Sequence, residues 1–328
     1  MSATETATAP AAARAQPLGT PLKRKSVLKR MRENASAYVF VAPFMITFIV
    51  FIAAPVFLAL ALSLFQFDSV TAPKFVGFDN FLSIFTEDRL FLRYALPNTF
   101  FYAVIVGPVG YALCFFLAWL INQLPKKWRD YFTLALYIPS MGTAVSMGVV
   151  WMAFFGADET GYLNRLLLQF GFIDQPIAWL FDPRYFMWIM ILISLWQAMG
   201  IGFLAMLAGL QTINTELYEA GAVDGISNRL QEVWYITIPS IRPQMLFSAV
   251  MSVVGTFKGG IVGSSLIAST NQDITPGNSG LLISNHLEDY FRNRFEIGYS
   301  ASLTVVLLVM IYAMTRFSFR LFGPKGDE

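Results

Sequence analysis

Charge is scarce in this chain. Only 13% of its 328 residues are Asp, Glu, Lys or Arg, against roughly 25% in soluble domains. It has one cysteine, Cys114, so no disulfide can form within a single chain, and a place in an apolar run suits a small packing residue. Its one histidine, His286, excludes the HExxH set of a zinc protease and reads as a plain loop residue. No segment fits the phosphate-binding pattern GxxxxGK[ST]. The nearest glycine-rich run, Gly259-Gly260-Ile261-Val262-Gly263-Ser264-Ser265, has no lysine and lies in an apolar stretch. Work driven by ATP must therefore come from another polypeptide, and this chain is read as a non-catalytic one without a metal site. Ionisable residues are nearly absent from the apolar runs, with Lys258 the clear exception. Ion-coupled carriers use intramembrane carboxylates or histidines as relays, so their scarcity disfavours secondary transport. A membrane enzyme would need Ser, His, Asp or Cys clustered at one depth, and the runs offer no such cluster.

What is abundant is hydrophobic residue, 56% of the chain. It comes in runs of about 20, the length a helix needs to cross roughly 30 Å of hydrocarbon. Six are expected as continuous spans: about Val39–Phe65, Leu96–Asn122, Phe132–Phe155, Phe186–Leu210, Gln244–Ile267 and Tyr299–Phe319. Each far exceeds the 9–11 residues of a barrel strand. Pro55, Gly107-Pro108 and Gly142 fall inside them, which neighbouring helices can accommodate. The fold class is therefore an all-α polytopic membrane protein with six transmembrane helices.

Lys and Arg placement orients it. The tail before Val39, the connection holding Lys126, Lys127 and Arg129, the connection holding Arg229 and Arg242, and the C-terminus together carry 15. The other side carries seven, on longer connections: Lys74, Arg89, Arg93, Arg165, Arg184, Arg292 and Arg294. Both termini are expected in the cytoplasm. Basic residues used this way set topology and imply no nucleic-acid partner. A basic tail over residues 1–36 precedes the permeation domain (37–328), and its first 22 residues, rich in Ala, Thr and Pro, are expected to be disordered. A signal peptide is excluded by the late basic cluster and the long run that follows. A mitochondrial presequence is the alternative for a tail with Ser, Thr and Arg.

One polar stretch, 214–239, interrupts the apolar runs on the cytoplasmic side and reads as two short helices joined by a turn. Asn214 or Thr215 can cap the first, with Glu216 and Glu219 in its early turns. Leu217, Ala220 and Val223 recur at helical spacing as its packing face. Asp224-Gly225 supplies the stop, and Asn228 with Gln231 resembles a capping pair for the second helix. Leu230, Val233 and Trp234 would form the second apolar face, Pro239 would end it by holding Ile238 extended, and Pro243 suits the first turn of the next span. A surface helix lying on lipid is the alternative. Against it, Glu216, Glu219, Asp224 and Glu232 outnumber Arg229 and Arg242, which favours docking to protein over anionic headgroups.

Tyr218-Glu219-Ala220-Gly221-Ala222-Val223-Asp224-Gly225, then Ile236-Thr237-Ile238-Pro239 and Arg242-Pro243, resembles the EAA loop of ABC-importer permease subunits, which typically reads EAA-x3-G with I-x-L-P shortly after. Gly221 stands for the usual third-position Ala, and Ile238 for Leu. Other segments resemble the carbohydrate permeases of the maltose and glycerol-phosphate type. These are Phe75-Val76-Gly77-Phe78-Asp79-Asn80-Phe81, Asn98-Thr99, Gly161-Tyr162-Leu163-Asn164-Arg165-Leu166-Leu167 with Trp179-Leu180, Ala208-Gly209-Leu210-Gln211-Thr212-Ile213, and Gly298-Tyr299-Ser300-Ala301-Ser302. The likeness covers about 38–322. It departs at 269–277, where a T-x-GGP loop is common in that family and this chain reads Ser269-Thr270-Asn271-Gln272-Asp273-Ile274-Thr275-Pro276-Gly277.

The resemblance implies a permease heterodimer, two cytoplasmic ABC ATPase subunits holding ATP and Mg, and an extracytoplasmic solute-binding protein, all serving a prokaryotic inner membrane. It implies docking roles for Glu219, Ala220, Gly221, Asp224, Gly225 and Pro239. Candidate pathway residues for a sugar or polyol are Lys258, Phe257, Trp196, Gln197, Asn98 and Trp151, each with packing as its alternative. Lys258 could also gate the pathway or mark an anionic solute, since an unpaired ammonium in hydrocarbon is costly. An oligosaccharide, a polyol and glycerol phosphate all remain open as cargo. The competing class is a self-sufficient channel or ion-coupled carrier.

Overall fold

The computed structural model describes residues 35–142, 144–257, 259–270 and 275–322. The tail over 1–34, Lys258 and positions 271–274 of the divergent loop lie outside them. The chain forms two compact units, Met1–Val56 and Phe57–Glu328. In the first, helix α1 (Ala35–Phe48) passes into a π turn, Ile49–Ala53. A further helix, α2 (Ala54–Leu62), continues it, and the run Val39–Leu62 is long and apolar enough to cross a bilayer.

The second unit is nearly all helical. A two-residue antiparallel pair, β1 (Phe65–Gln66) with β2 (Lys74–Phe75), leads into α3 (Asp79–Thr86). Then come α4 (Leu96–Asn122), α5 (Lys126–Met141), α6 (Ala144–Phe154), α7 (Tyr162–Gln169), α8 (Pro183–Gln197) and α9 (Ile201–Gln211). The polar loop holds α10 (Glu216–Val223) and α11 (Arg229–Glu232), and α12 (Arg242–Thr256), α13 (Gly260–Ser269), α14 (Ile283–Arg292) and α15 (Ile297–Phe322) complete the unit. The core lies where α4 meets α8, α9 and α12, around Tyr102, Ala118, Met190, Phe203 and Met206.

Four runs are long and apolar enough to cross a bilayer: Val39–Leu62, Phe91–Asn122, Pro183–Gln211, which is interrupted at 198–200, and Ile297–Arg320. The other two expected continuous helices are bent. Lys126–Met141 turns by 103° into Ser146–Phe154, and Arg242–Thr256 by 41° into Gly260–Ser269. Small residues at both joints (Gly142, Gly259) leave the main chain free to turn there.

Proline also behaves differently from expectation at Pro239. Ile238 is helical (φ −59°, ψ −48°) and the helix continues to Ser240. A π turn, Val233–Thr237, precedes it. The same arrangement recurs twice, at Ile49–Ala53 before Pro55 and at Phe91–Ala95 before Pro97. Each π turn ends two residues before a proline. A proline ring clashes with the carbonyl four residues back and donates nothing to it. Widening that turn to i→i−5 bonding relieves the clash without ending the helix.

The connections between the apolar runs are clamped by part-buried side-chain hydrogen bonds. Asn80 donates to the carbonyls of Ser63 and Phe65, both at 3.0 Å. Asn98 donates to Asn278 O (2.9 Å) and Leu281 O (3.2 Å). The fully buried Asn164 amide donates to Gly156 O and Ile177 O, both at 2.9 Å. Its oxygen accepts from the Trp179 indole at 2.8 Å.

His286 is not the plain loop residue its isolation suggested. It sits on α14, 2% exposed, with Nε2 2.6 Å from Asp88 Oδ2, whose side chain is 6% exposed. The same carboxylate accepts from the Tyr299 hydroxyl (2.8 Å) and from Phe91 N–H (2.9 Å). Tyr290 stacks beside it, covered in turn by the Arg294 guanidinium at 4.2 Å. Burial by itself raises the Asp88 carboxyl, but the His286 hydrogen bond, the Phe91 N–H, the His286 charge and the Tyr299 hydroxyl outweigh it and hold the group at about 2, below the usual 3.8. A carboxyl lower in the folded than the unfolded state stabilises the fold fully above its unfolded value and loses that contribution as pH falls through the folded one. This contribution is about 2 kcal/mol. It is expected to be intact above about pH 4 and to vanish toward pH 2. Thermal unfolding of Asp88→Asn should show a lower Tm than the parent at pH 7 and converge with it in acid. Equal Tm values at pH 7 would remove the clamp from this account.

Candidate docking loop and solute cavity

The polar loop folds as two helices locked through one face. Asn214 Oδ1 accepts from Glu216 N at 3.1 Å, so Asn214 and not Thr215 supplies the side-chain cap of α10. Gly225 ends the element at φ +97°, a conformation that disfavours any side chain. Asn228 caps α11 by accepting from Gln231 N at 2.8 Å. The reciprocal bond runs to Gln231 Oε1 from Ser227 N, one residue earlier than the standard pairing. Pro243 sits in the first turn of α12 as expected.

The packing face differs from the apolar stripe visible in the sequence. Leu217, Ala220 and Val223 are exposed, as are Leu230 and Trp234. The contact between the helices is made instead by Tyr218, whose hydroxyl lies 3.0 Å from the buried Thr237 Oγ1, and by Gly221. A Cβ on Gly221 would stand 2.7 Å from Ile236 Cδ1 and 3.1 Å from Ile226 Cδ1. Gly221 is therefore an internal packing position, and its share in any docking is to let the helices close. Glu219, Ala220, Asp224, Gly225 and Pro239 remain exposed.

Between the helices of the main unit lies a cavity of about 670 Å³. Three helix breaks open onto it: Met141-Gly142 between α5 and α6, Gln197–Gly200 between α8 and α9, and Thr256–Gly259 between α12 and α13. Ser248, Ser252 and Thr256, each four residues apart on α12, put one hydroxyl stripe along its wall. Tyr102 crosses the floor, its ring against Gly259 and its hydroxyl bonded to Ser194 Oγ. No charged side chain lines the cavity among the described residues.

Of the residues singled out from sequence, Trp151 and Gln197 line this cavity. The Trp151 indole N–H is buried without a hydrogen-bond partner. Trp196 meets Trp151 edge-on at 5.2 Å but does not line the wall. Phe257 is buried away from the cavity, and the Asn98 amide is committed to the 278–281 carbonyls. Lys258 lies outside the described residues. Sequence reasoning missed the hydroxyls, although the four-residue spacing of Ser248, Ser252 and Thr256 is a legible helical stripe.

Comparison with known proteins places this geometry. The family described as "Binding-protein-dependent transport system inner membrane component" matches residues 110–325. The chain is 35% identical over 299 residues to the probable ABC transporter permease protein YesP of Bacillus subtilis (strain 168), covering 91% of this chain and 93% of that one. It is 32% identical to the arabinooligosaccharides transport system permease protein AraP of the same organism, over 90% of this chain and 91% of the relative. Its fold matches a chain in the crystal structure of a bacterial alginate ABC transporter in complex with an alginate pentasaccharide-bound periplasmic protein, with a TM-score of 0.75 at 23% identity, covering 92% of this chain and 99% of that chain. The protein is thus a multi-pass membrane protein that belongs to the inner-membrane component family of binding-protein-dependent transport systems.

Proposed function

We propose that this chain is the permease subunit of an ATP-driven importer for a sugar or related polyol, with both termini and the 214–239 loop in the cytoplasm. A second permease subunit, two ABC ATPases and an extracytoplasmic solute-binding protein complete the machine. The sugar-related names of relatives such as AraP support the cargo class. ATP and Mg belong to the ATPases, and this chain binds neither.

The observation that carries the reading is the outward face of the loop. Val223 is 89% exposed, Leu230 78% and Trp234 70%, although the opposite face is closed by Tyr218, Gly221 and Ile236. A folded element that turns apolar side chains outward beside the carboxylates of Glu216, Glu219 and Asp224 suits a protein partner with a basic-rimmed apolar cleft. Glu219 and Asp224 would pair with that rim, Ala220 and Gly225 would permit close backbone approach, and Pro239 would hold the second helix in line.

Three measurements test this. Glu219→Lys should cut ATPase co-purification about tenfold or more, a cost of ~1.4 kcal/mol or above for reversing a charge at an interface. Full recovery of the ATPases with undiminished uptake would remove Glu219 from the contact. At Gly221, Ala should be tolerated, because the Ile236 δ-methyl that it meets can rotate aside. Leu there should separate the helices at about 1–3 kcal/mol and uncouple ATP hydrolysis from uptake. Solute uptake by liposomes holding this chain alone would favour a channel or carrier instead.

A further inference from the structure

The start of α5 carries a patch of basic and aromatic side chains that the cavity and the polar loop do not use. Lys126, Lys127 and Arg129 fall within four residues there. Both lysines are exposed and Arg129 is half-buried. Among the described residues none of the three forms an ion pair, not even with Asp130, which follows Lys126 by four residues and Lys127 by three. Three exposed rings stand beside them, Trp128, Tyr131 and Phe132. Tyr131 meets Trp128 edge-on at 6.4 Å and Phe132 edge-on at 5.5 Å.

Helical spacing orders these side chains. Trp128, Tyr131 and Phe132 lie three and four residues apart and share one face. Lys127 precedes Tyr131 by four and Arg129 precedes Phe132 by three, so one cation flanks the rings on either side. The same face continues along the helix through the exposed Leu134, Ala135 and Ile138. Tyr137 and Ser140, on the other side of α5, line the cavity. Lys126 stands on that side too, three helical turns before Tyr137.

We propose that this face of α5 binds an anionic phospholipid. Lys127 and Arg129 hold the headgroup phosphate, the rings lie at the level of the glycerol, and Leu134, Ala135 and Ile138 meet the acyl chain. With Ser146–Phe154, α5 makes one of the candidate spans, so its first turn falls at the bilayer boundary. Trp and Tyr concentrate at that level, and Lys and Arg there attract anionic lipid. A lipid also satisfies the cations and the apolar stripe with a single molecule. Charge disfavours the partner of the polar loop as the occupant. Ala118 and Ile121 near the end of α4 pack in one cluster with Ile241 and Met245, so this connection lies at the same end of the bundle as the 214–239 loop. That loop presents carboxylates suited to a basic-rimmed partner, and the same rim would repel Lys127 and Arg129. The inference goes beyond the importer reading and holds whatever the cavity carries.

The test uses the full-length protein, purified in mild detergent with its co-purifying subunits. It would be titrated with phosphatidylglycerol and, separately, with phosphatidylcholine, and bound lipid counted by native mass spectrometry. Phosphatidylglycerol should bind about tenfold or more tighter, and no preference would overturn the proposal. Lys127→Gln and Arg129→Gln should each weaken phosphatidylglycerol about fivefold and leave phosphatidylcholine unchanged. Lys127→Arg and Arg129→Lys keep the charge and should bind like the parent, and their failing as the Gln variants do would overturn the site. Lys126→Gln removes the same charge from the opposite side and should change binding less than about twofold. An equal loss there would reduce the effect to diffuse charge and remove the site. Displacement of the lipid by millimolar inorganic phosphate would also overturn it, in favour of a free anion. Loss of a co-purifying subunit in the Gln variants, with lipid binding intact, would assign the patch to a protein contact instead.

Discussion

Every main-chain N–H and C=O that leaves a helix inside hydrocarbon must find a partner within the protein, because no water is there to provide one. That constraint organises this molecule. Three prolines in helical runs are absorbed by π turns two residues upstream, which keep the helix bonded around a missing donor. Serine and threonine hydroxyls inside the spans give their protons back to carbonyls of the same or a neighbouring helix. Where the chain leaves helical structure between spans, Asn80, Asn98 and Asn164 satisfy the exposed carbonyls with their amides.

Function uses the same constraint from the other side. A helix can be interrupted at membrane depth only where the interruption faces a cavity or another protein segment. The three breaks of the main unit, at 141–142, 197–200 and 256–259, open onto one cavity. The space that tolerates them thus doubles as the space a solute would occupy. Part of its wall serves the helices themselves: Ser140, Ser252, Thr256 and Ser265 give their protons to carbonyls.

Much of the fold was legible because run length alone identifies a span. The bends at 142 and 259 were not, since a glycine in an apolar run is equally compatible with a straight helix and a joint. His286 was misread because its partner, Asp88, lies 198 residues away, and no local pattern announces a long-range ion pair. The two-helix fold of the 214–239 loop was legible, and its caps at Asn214 and Asn228 were foreseen, because capping is local chemistry. Its faces were inverted because an apolar stripe on a helix ordinarily points inward. Here Gly221 and Tyr218 make the inward contact and leave Leu217 and Val223 outside. In the cavity, Trp151 and Gln197 were found from their chemistry. The Ser248, Ser252 and Thr256 stripe was passed over because small hydroxyl residues at helical spacing also mark ordinary helix packing.

The loop and the cavity wall are parts of one stretch of chain. From Arg229 the backbone stays helical through the π turn to Ser240, changes only at Ile241 (φ −106°, ψ 18°), and resumes as α12. Thr237 anchors this stretch to α10 through Tyr218, and the buried Ile241 and Met245 seat it against α9 and the lower part of α4. Alpha-helical rise carries α12 roughly 22 Å over its length, from that seat to the hydroxyl stripe at Ser248, Ser252 and Thr256. Under the importer proposal, a displacement imposed on the exposed face of α10 and α11 would pass along this packed stretch toward the cavity wall. The turn at Ile241 and the joint at 256–259 are the two places along this stretch where the helix is interrupted, and under the same proposal motion at the loop would reach the cavity wall through them.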